Sequence, residues 1–398
     1  MSELLLSEYQ RCGGVSLDAD AVKALAGRRE FRISPDPAQP GLWSLTADGW
    51  VGIMTIAGLE LRIRPKVGVH RLLSLLSEVL ALPEWDPSSE PELGHQQDLI
   101  ALMAVMFCGH AERALRAGPL QGYVRVEEAL PAIRGAIRVS AQLARRPGRW
   151  LPIEVTFDDY TVDVAENQMV AGAATHLGRL HGLPIDVERR LRRLGAMLEG
   201  VTPVRPSPST PDVAITRLNE RYRHALVLAR LVLRSGSLDD SNGPRSRGEG
   251  FMVNMAQVFE QVVGTDLRSS AAAMGRDLVL QEEYPFDTGG LLTIRPDVLV
   301  REQGTVTAVA DLKYKAPRNG RALNEDVYQV LAYARSFGLT TAHLIYADLG
   351  PAVCLEVGGC RVLVHTVSLD QPAALRRAQT RDVAAALVAD GAARFLGE

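Results

Sequence analysis

"RPDVLVREQGTVTAVADLKYK", residues Arg295 to Lys315, sets two aspartates and two lysines into runs that otherwise favour β-strand. Burying an unpaired charge is costly. Asp297, Asp311, Lys313 and Lys315 therefore either face solvent on edge strands or meet around something that needs charge. Alternation along "TVTAVADLKYK" sends Val309, Asp311, Lys313 and Lys315 to one face, and Ala310, Leu312 and Tyr314 to the other. "REQG" suits a hairpin turn, which makes the segment bearing Asp297 the antiparallel neighbour. Pro296 removes a ladder donor, and a bulge beside Asp297 would swing its carboxylate toward Asp311. Two carboxylates that close repel, and each raises the other's pKa unless a cation lies between them. A hard divalent cation such as Mg²⁺ resolves the conflict, because it takes oxygen ligands and keeps waters. Lys313, on the face of Asp311, would position or deprotonate a metal-bound water, or stabilise charge developing on a phosphate. These are the tools of phosphodiester hydrolysis.

The flanking segments add candidates. "NEDVYQVLAYARSFG" reads as a helix with Val327, Val330, Leu331, Ala334 and Phe337 as its core stripe and Gly338 as its C-terminal cap. Gln329 and Tyr333 stack on one side of that helix. Upstream, "FMVNMAQVFEQVVGTDLR" buries Met255, Phe259, Val262 and Val263 and leaves Glu260 at the margin of the stripe. Each also has an ordinary reading: a half-buried aromatic, a solvent-facing amide, a surface acid.

Farther out, "RSGSLDDSNGPRSRGEG", residues 234–250, lacks apolar periodicity and reads as a linker. After it come a helix (251–273), strands (278–287, 291–301, 305–315), a helix (324–337), strands (341–348, 353–367) and a helix from 372 to 389. That order predicts a mixed sheet flanked by helices. Before the linker, the chain is β-rich to about residue 70, with "LWSLTADGWVGIMTIAGLELRIRPKVG" turning at "ADG" and "AGL". In "LELRIRPK" the alternation sets Arg62, Arg64 and Lys66 opposite Leu59, Leu61 and Ile63, either as a solvated face or as a basic surface for a partner. Helices are expected over about 71–120, short strands over 121–160, and helices again over 162–181, 185–198 and 212–235. In the second of these three, Ile185, Leu191, Leu194 and Leu198 turn inward, leaving Arg189, Arg190, Arg192 and Arg193 outside. His176 and His181 are spaced wrongly for two ligands on one helical face.

Composition bounds the class. A chain of 398 residues exceeds one ordinary core, and its 46% apolar and 23% charged content is that of a globular protein. A net charge of −3 offers no global basic field, so any grip on nucleic acid must be local or borrowed. Cys12, Cys108, Cys354 and Cys360 form no C-x-x-C pair, which argues against zinc and fits a reducing cytoplasm. The N-terminus lacks a basic n-region, and no apolar run reaches the roughly 18 residues of a membrane span. A cytoplasmic protein with no membrane contact is expected.

The order Pro296-Asp297, a gap, then Asp311-x-Lys313 resembles the PD-(D/E)xK nuclease signature. Gln329-x-x-x-Tyr333 on the next helix resembles the extra motif of RecB-like nucleases, where it lines the same cleft, and Glu260 matches the acid that this fold often brings from its first helix. "FMVNMAQVFEQVV", "RPDVLV", "ADLKYK" and "YQVLAYA" together look like the McrC family, the nuclease subunits of McrBC modification-dependent (type IV) restriction systems. "LPAIRGAIRV", "FDDYTVDVAENQMV" and "RYRHALVLARLVL" resemble its middle region, and "LELRIRPKVG" its amino-terminal domain.

The resemblance implies a multidomain α+β or α/β chain: a β-rich partner-binding domain (1–95), a mixed, mainly helical middle region (96–235), a linker (236–250) and a PD-(D/E)xK nuclease domain (251–398). It implies Asp297, Asp311 and Glu260 as Mg²⁺ ligands, Lys313 as the catalytic lysine, and Gln329 and Tyr333 in support. It implies, as partner, the hexamer of an McrB-like AAA+ GTPase that reads modified double-stranded DNA (5-methylcytosine being the family's modification) and translocates while this chain stimulates GTP hydrolysis and cuts. Two other functions compete: a non-catalytic activator of that GTPase, and a stand-alone RecB-like repair nuclease.

Overall fold

The computed structural model describes residues 2–83, 98–236, 249–287, 289–315, 324–347, 350 and 353–395. Among them are ten α-helices and five sheets, a mixed α/β architecture. The largest sheet has six strands, in the spatial order Asp277–Leu280, Val298–Glu302, Thr305–Lys313, Thr341–Tyr346, Cys360–Thr366 and Val353–Val357. The opening hairpin lies inside this sheet, so its charges do not sit on edge strands. Gln303 and Gly304 both take positive φ (50° and 82°), the geometry of a tight hairpin turn whose twist matches its strands. Strand Thr305–Lys313 pairs antiparallel with Val298–Glu302 and parallel with Thr341–Tyr346.

Helix Asn324–Ser336 covers one face of this sheet and forms a small core with Leu299, Val309, Leu344 and Tyr346. The other face belongs to a far larger core that runs without interruption into the amino-terminal half. Helices Met255–Ala273 and Ala373–Phe395 lie on that side and are pinned by Arg376. The Arg376 side chain, fully buried, reaches Asp266 at 2.9 Å and Glu78 at 2.5 Å.

A second sheet holds Ser2–Ser7, Leu59–Arg64, Trp50–Ile56 and Glu249–Asn254 in that order. Its last strand is absent from the sequence expectation. Residues 237–248 of the expected linker lie outside the described residues, but its final two, Glu249 and Gly250, already open this strand. The chain thus returns to the amino-terminal sheet before entering helix Met255–Ala273, capped by Asn254. Gly52 permits the return: at φ 132°, a Cβ there would stand 2.0 Å from the Phe251 carbonyl oxygen.

The middle helices follow the sequence expectation with two shifts. Helix Arg223–Ser235 starts well after residue 212, because Asn219 ties the preceding segment into a turn through Thr216 N at 2.7 Å and Glu166 at 2.8 Å. In helix Ile185–Met197 the inward stripe is Val187, Leu191 and Leu194, while Ile185 is exposed. Helix Leu99–Ala114 is buried nearly all round, as its composition requires.

Strands Gly122–Leu130 and Ile153–Thr161 form a long antiparallel ribbon, joined by the short strand Ala136–Ile137 and helix Val139–Arg145. It makes no extensive contact with other helices or strands among the described residues. Its own core is small, built around Val155 and around Glu154, which is buried beneath Arg145 and Arg146 at 3.3 Å each. It exposes several large apolar side chains: Trp150 is 87% exposed and Tyr123 76%, with Leu143, Val139 and Leu151 also open.

Candidate functional site

The register carries the two aspartates together. Val298 pairs with Ala310, and one step beyond the end of that pairing Asp297 stands across from Asp311. Asp297 lies in a bend just before its strand and accepts a hydrogen bond from the Leu312 backbone N–H at 2.8 Å. The bulge of this hairpin is at Val300/Arg301, toward the turn, and not beside Asp297. Pro296 and the capped bend, rather than a bulge, aim the carboxylate.

Asp311 is 2% exposed, and its Oδ2 lies 2.6 Å from Lys313 Nζ. The Lys313 ammonium meets the charge of that buried oxygen. Lys313 Nζ also donates to Gln329 Oε1 at 2.9 Å, and Gln329 Nε2 donates to the Tyr333 hydroxyl at 2.7 Å. Five of the six candidates thus form one connected array. Glu260 adjoins it: Gln281 Nε2 donates to Glu260 Oε2 at 2.9 Å, and Arg295 holds Gln281 through its backbone and side-chain oxygens at 3.0 and 3.2 Å. Glu260, Gln281, Arg295 and Asp297 line a cleft of about 670 Å³, together with Gln257 and Arg268.

The electrostatics follow from burial at close quarters. Burial first, then the charge of Asp297, pushes the Asp311 carboxyl up to about 7 against the pull of Lys313. Burial also raises Asp297, opposed by the Leu312 N–H, and the two groups titrate as a pair. Glu260 is raised by burial, opposed by Gln281 and reinforced by the field of Asp311. Burial disfavours the Lys313 ammonium, yet Asp311 outweighs it and Lys313 ends above its ordinary value. Lys313 is therefore a fixed positive charge near neutrality.

Two buried carboxylates that converge and raise each other's pKa are an oxygen donor set that fits a hard divalent cation. Among the described residues no group of three or more His, Cys, Asp and Glu side chains has metal-holding geometry, and Glu260 takes its hydrogen bond from Gln281. Mg²⁺ suits the pair, since it commonly takes one or two carboxylates and keeps waters.

Sequence reasoning missed Gln281 and Arg295, which position Glu260, and Asp326. Asp326 is buried at the start of helix Asn324–Ser336, accepts from the Tyr346 hydroxyl at 2.7 Å and pairs with Lys315 at 3.5 Å. The cue was available: an aspartate followed by an apolar helical stripe and preceded by an unexplained lysine. Arg62 is no open basic surface either. It is ion-paired with Glu60 at 2.8 Å, Asp98 at 2.6 Å and Glu3 at 3.1 Å.

The profile of the family described as "McrBC 5-methylcytosine restriction system component" matches residues 45–347, well over half of the 398. The chain belongs to the McrBC family. No curated protein matches it. Among solved structures, this McrBC-family chain resembles one in the refined half-complex from the tetradecameric assembly of Thermococcus gammatolerans McrB AAA+ hexamers with bound McrC. The TM-score is 0.63 at 17% identity, covering 96% of this chain and 99% of that one, which establishes a shared fold. A chain of the cryo-EM structure of the Thermococcus gammatolerans McrBC complex is more weakly similar, with a TM-score of 0.42 at 18% identity over 65% of this chain and 85% of that one. Among the described residues no helix is long and apolar enough to cross a membrane.

Proposed function

We propose that this McrBC-family chain is the Mg²⁺-dependent DNA endonuclease subunit of a modification-dependent restriction complex, working with an McrB-like AAA+ GTPase. The observation that carries the reading is the convergence of Asp297, Asp311 and Lys313, backed by Gln329 and Tyr333, at one end of an inner strand pair. We read the six-stranded sheet with its flanking helices as a PD-(D/E)xK nuclease domain.

In this reading Asp297 and Asp311 would hold the cation, which when bound would supply Lewis-acid chemistry for phosphodiester hydrolysis. The Lys313 ammonium, held beside Asp311, would stabilise negative charge at the phosphate. Gln329 sets the direction of the Lys313 ammonium, and Tyr333 holds Gln329 from the other end of its amide. Glu260 and Arg295 flank the cleft and would orient the strand being cut.

The partner half of the reading draws on the ribbon. Toward the end of the ribbon where Leu130 pairs with Ile153, Leu143, Trp150 and Leu151 stand exposed, apolar side chains of the kind that mark a protein interface. Residues 1–83 offer no counterpart, Leu5 being their single large exposed apolar side chain among the described residues. We therefore assign GTPase contact to residues 122–161 rather than to the expected 1–95 unit. A net charge of −3 agrees with a motor that supplies the grip on DNA.

The test is cleavage of modified duplex DNA by the chain with its GTPase, GTP and Mg²⁺. Asp311→Ala and Lys313→Ala should each lower cleavage by about 10²-fold or more while GTPase stimulation stays at the parent level. Cleavage at the parent rate by either variant would refute the site.

A further inference from the structure

Glu8 is an acid buried far from solvent, with no part in the chemistry above. It is 3% exposed, immediately after strand Ser2–Ser7, and burial raises its carboxyl. Its Oε2 accepts from the Lys66 backbone N–H at 3.2 Å and from the Tyr314 hydroxyl at 3.0 Å, across 306 residues of sequence. Tyr314 directly follows Lys313. The Tyr314 ring packs against Tyr9 (centroids 6.2 Å apart) and Phe259 (6.1 Å), and Phe259 directly precedes Glu260. Lys66 Nζ sits 4.4 Å from the Tyr9 ring centroid. Glu8 and Tyr9, at the end of the first strand of the amino-terminal sheet, thus touch Tyr314 next to Lys313, and Tyr314 in turn touches Phe259 next to Glu260.

Apolar contacts alone would hold these parts together without the expense of burying a carboxyl. What a hydrogen bond adds is direction. We propose that Glu8 and Tyr314 form a positioning pair, whose bond fixes the end of strand Thr305–Lys313 and so the placement of Lys313 between Asp311 and Gln329. The pair makes the amino-terminal sheet a structural part of the cleavage site. This rests on the nuclease reading of Lys313.

The test uses the full chain assembled with its GTPase, GTP, Mg²⁺ and modified duplex DNA. Tyr314→Phe keeps the ring packing and removes the bond. It should lower kcat for cleavage about tenfold, the scale of one such bond lost, with the KM for DNA and GTPase stimulation unchanged. Glu8→Ala should match it, and Glu8→Gln, which still offers an acceptor, should restore the parent kcat. If the parent cuts DNA and Tyr314→Phe cuts equally well, the positioning role is overturned while the nuclease reading survives. A joint fall of kcat, GTPase stimulation and melting temperature would reduce the pair to a staple and also overturn it, as would Glu8→Gln behaving like Glu8→Ala. A parent complex that leaves DNA intact would remove the nuclease reading, and this inference with it. Should Glu8→Ala fail to fold, Tyr314→Phe and Glu8→Gln decide between these outcomes.

Discussion

The six-stranded sheet and the 122–161 ribbon break the usual rule of burial in opposite directions. The sheet and the helix Asn324–Ser336 over it draw Asp311 and Asp326 inside. The ribbon turns Trp150, Tyr123 and Leu143 out to solvent and buries Glu154 instead. Each arrangement is costly for folding alone, since charges lose hydration in the first and apolar surface gains none of the benefit of burial in the second. Departures of this kind concentrate where a chain does something besides fold. In the function proposed above, the sheet receives a cation and a phosphate, and the ribbon a protein.

That contrast can be broken from either side. The largest effect away from the Asp297–Asp311–Lys313 array is expected on the ribbon. Trp150→Ala combined with Leu151→Ala should weaken GTPase association about thirtyfold, the scale of an interface hot spot. Thermal stability should be kept, and cleavage should return at high GTPase concentration; undiminished affinity in an association assay would free the ribbon of this role. Next, Gln329→Ala should slow cleavage about tenfold, because Lys313 loses the acceptor that directs it while Asp311 still binds its charge. A rate equal to the parent's would make the Gln329–Tyr333 pair a packing detail.

The smallest effect is on stability against pH. Asp311 has its folded-state value raised to about 7, so the native chain holds a proton there that the unfolded chain releases nearer 4. Metal-free stability should therefore fall as pH rises between those values and level off above about 7. Melting temperature should drop by about 2 °C or more across that window, and Asp311→Asn should flatten the slope. A parent curve already flat there would mean that Asp311 is ionised throughout.

Much of this was legible in one stretch of sequence, because its physics is local. Alternation places Asp311 and Lys313 on one face, and "REQG" fixes the hairpin that sets Asp297 opposite. The i, i+4 spacing of Gln329 and Tyr333 likewise survives as a hydrogen bond. Long-range features were not legible. Strand Glu249–Asn254 finds its partner in Trp50–Ile56, some two hundred residues earlier, and only Gly52 hints at the close approach. The pairing of Arg62 was only half legible: Glu60 stands two residues away on its own strand, but Asp98 and Glu3 are remote in sequence. The Glu8–Tyr314 bond spans nearly the whole chain and has no local signature. The bulge was misplaced for a subtler reason: Pro296 forbids a ladder bond but does not say whether a bulge or a bend replaces it.

The most direct test of the central claim is an anomalous-scattering map from crystals of the chain grown with Mn²⁺ as a stand-in for Mg²⁺. The account predicts a peak within bonding distance of both the Asp297 and Asp311 carboxylates, lost in Asp311→Ala. A parent map with no peak there, or with Lys313 still seated on Asp311 and the ion bound elsewhere, would contradict it.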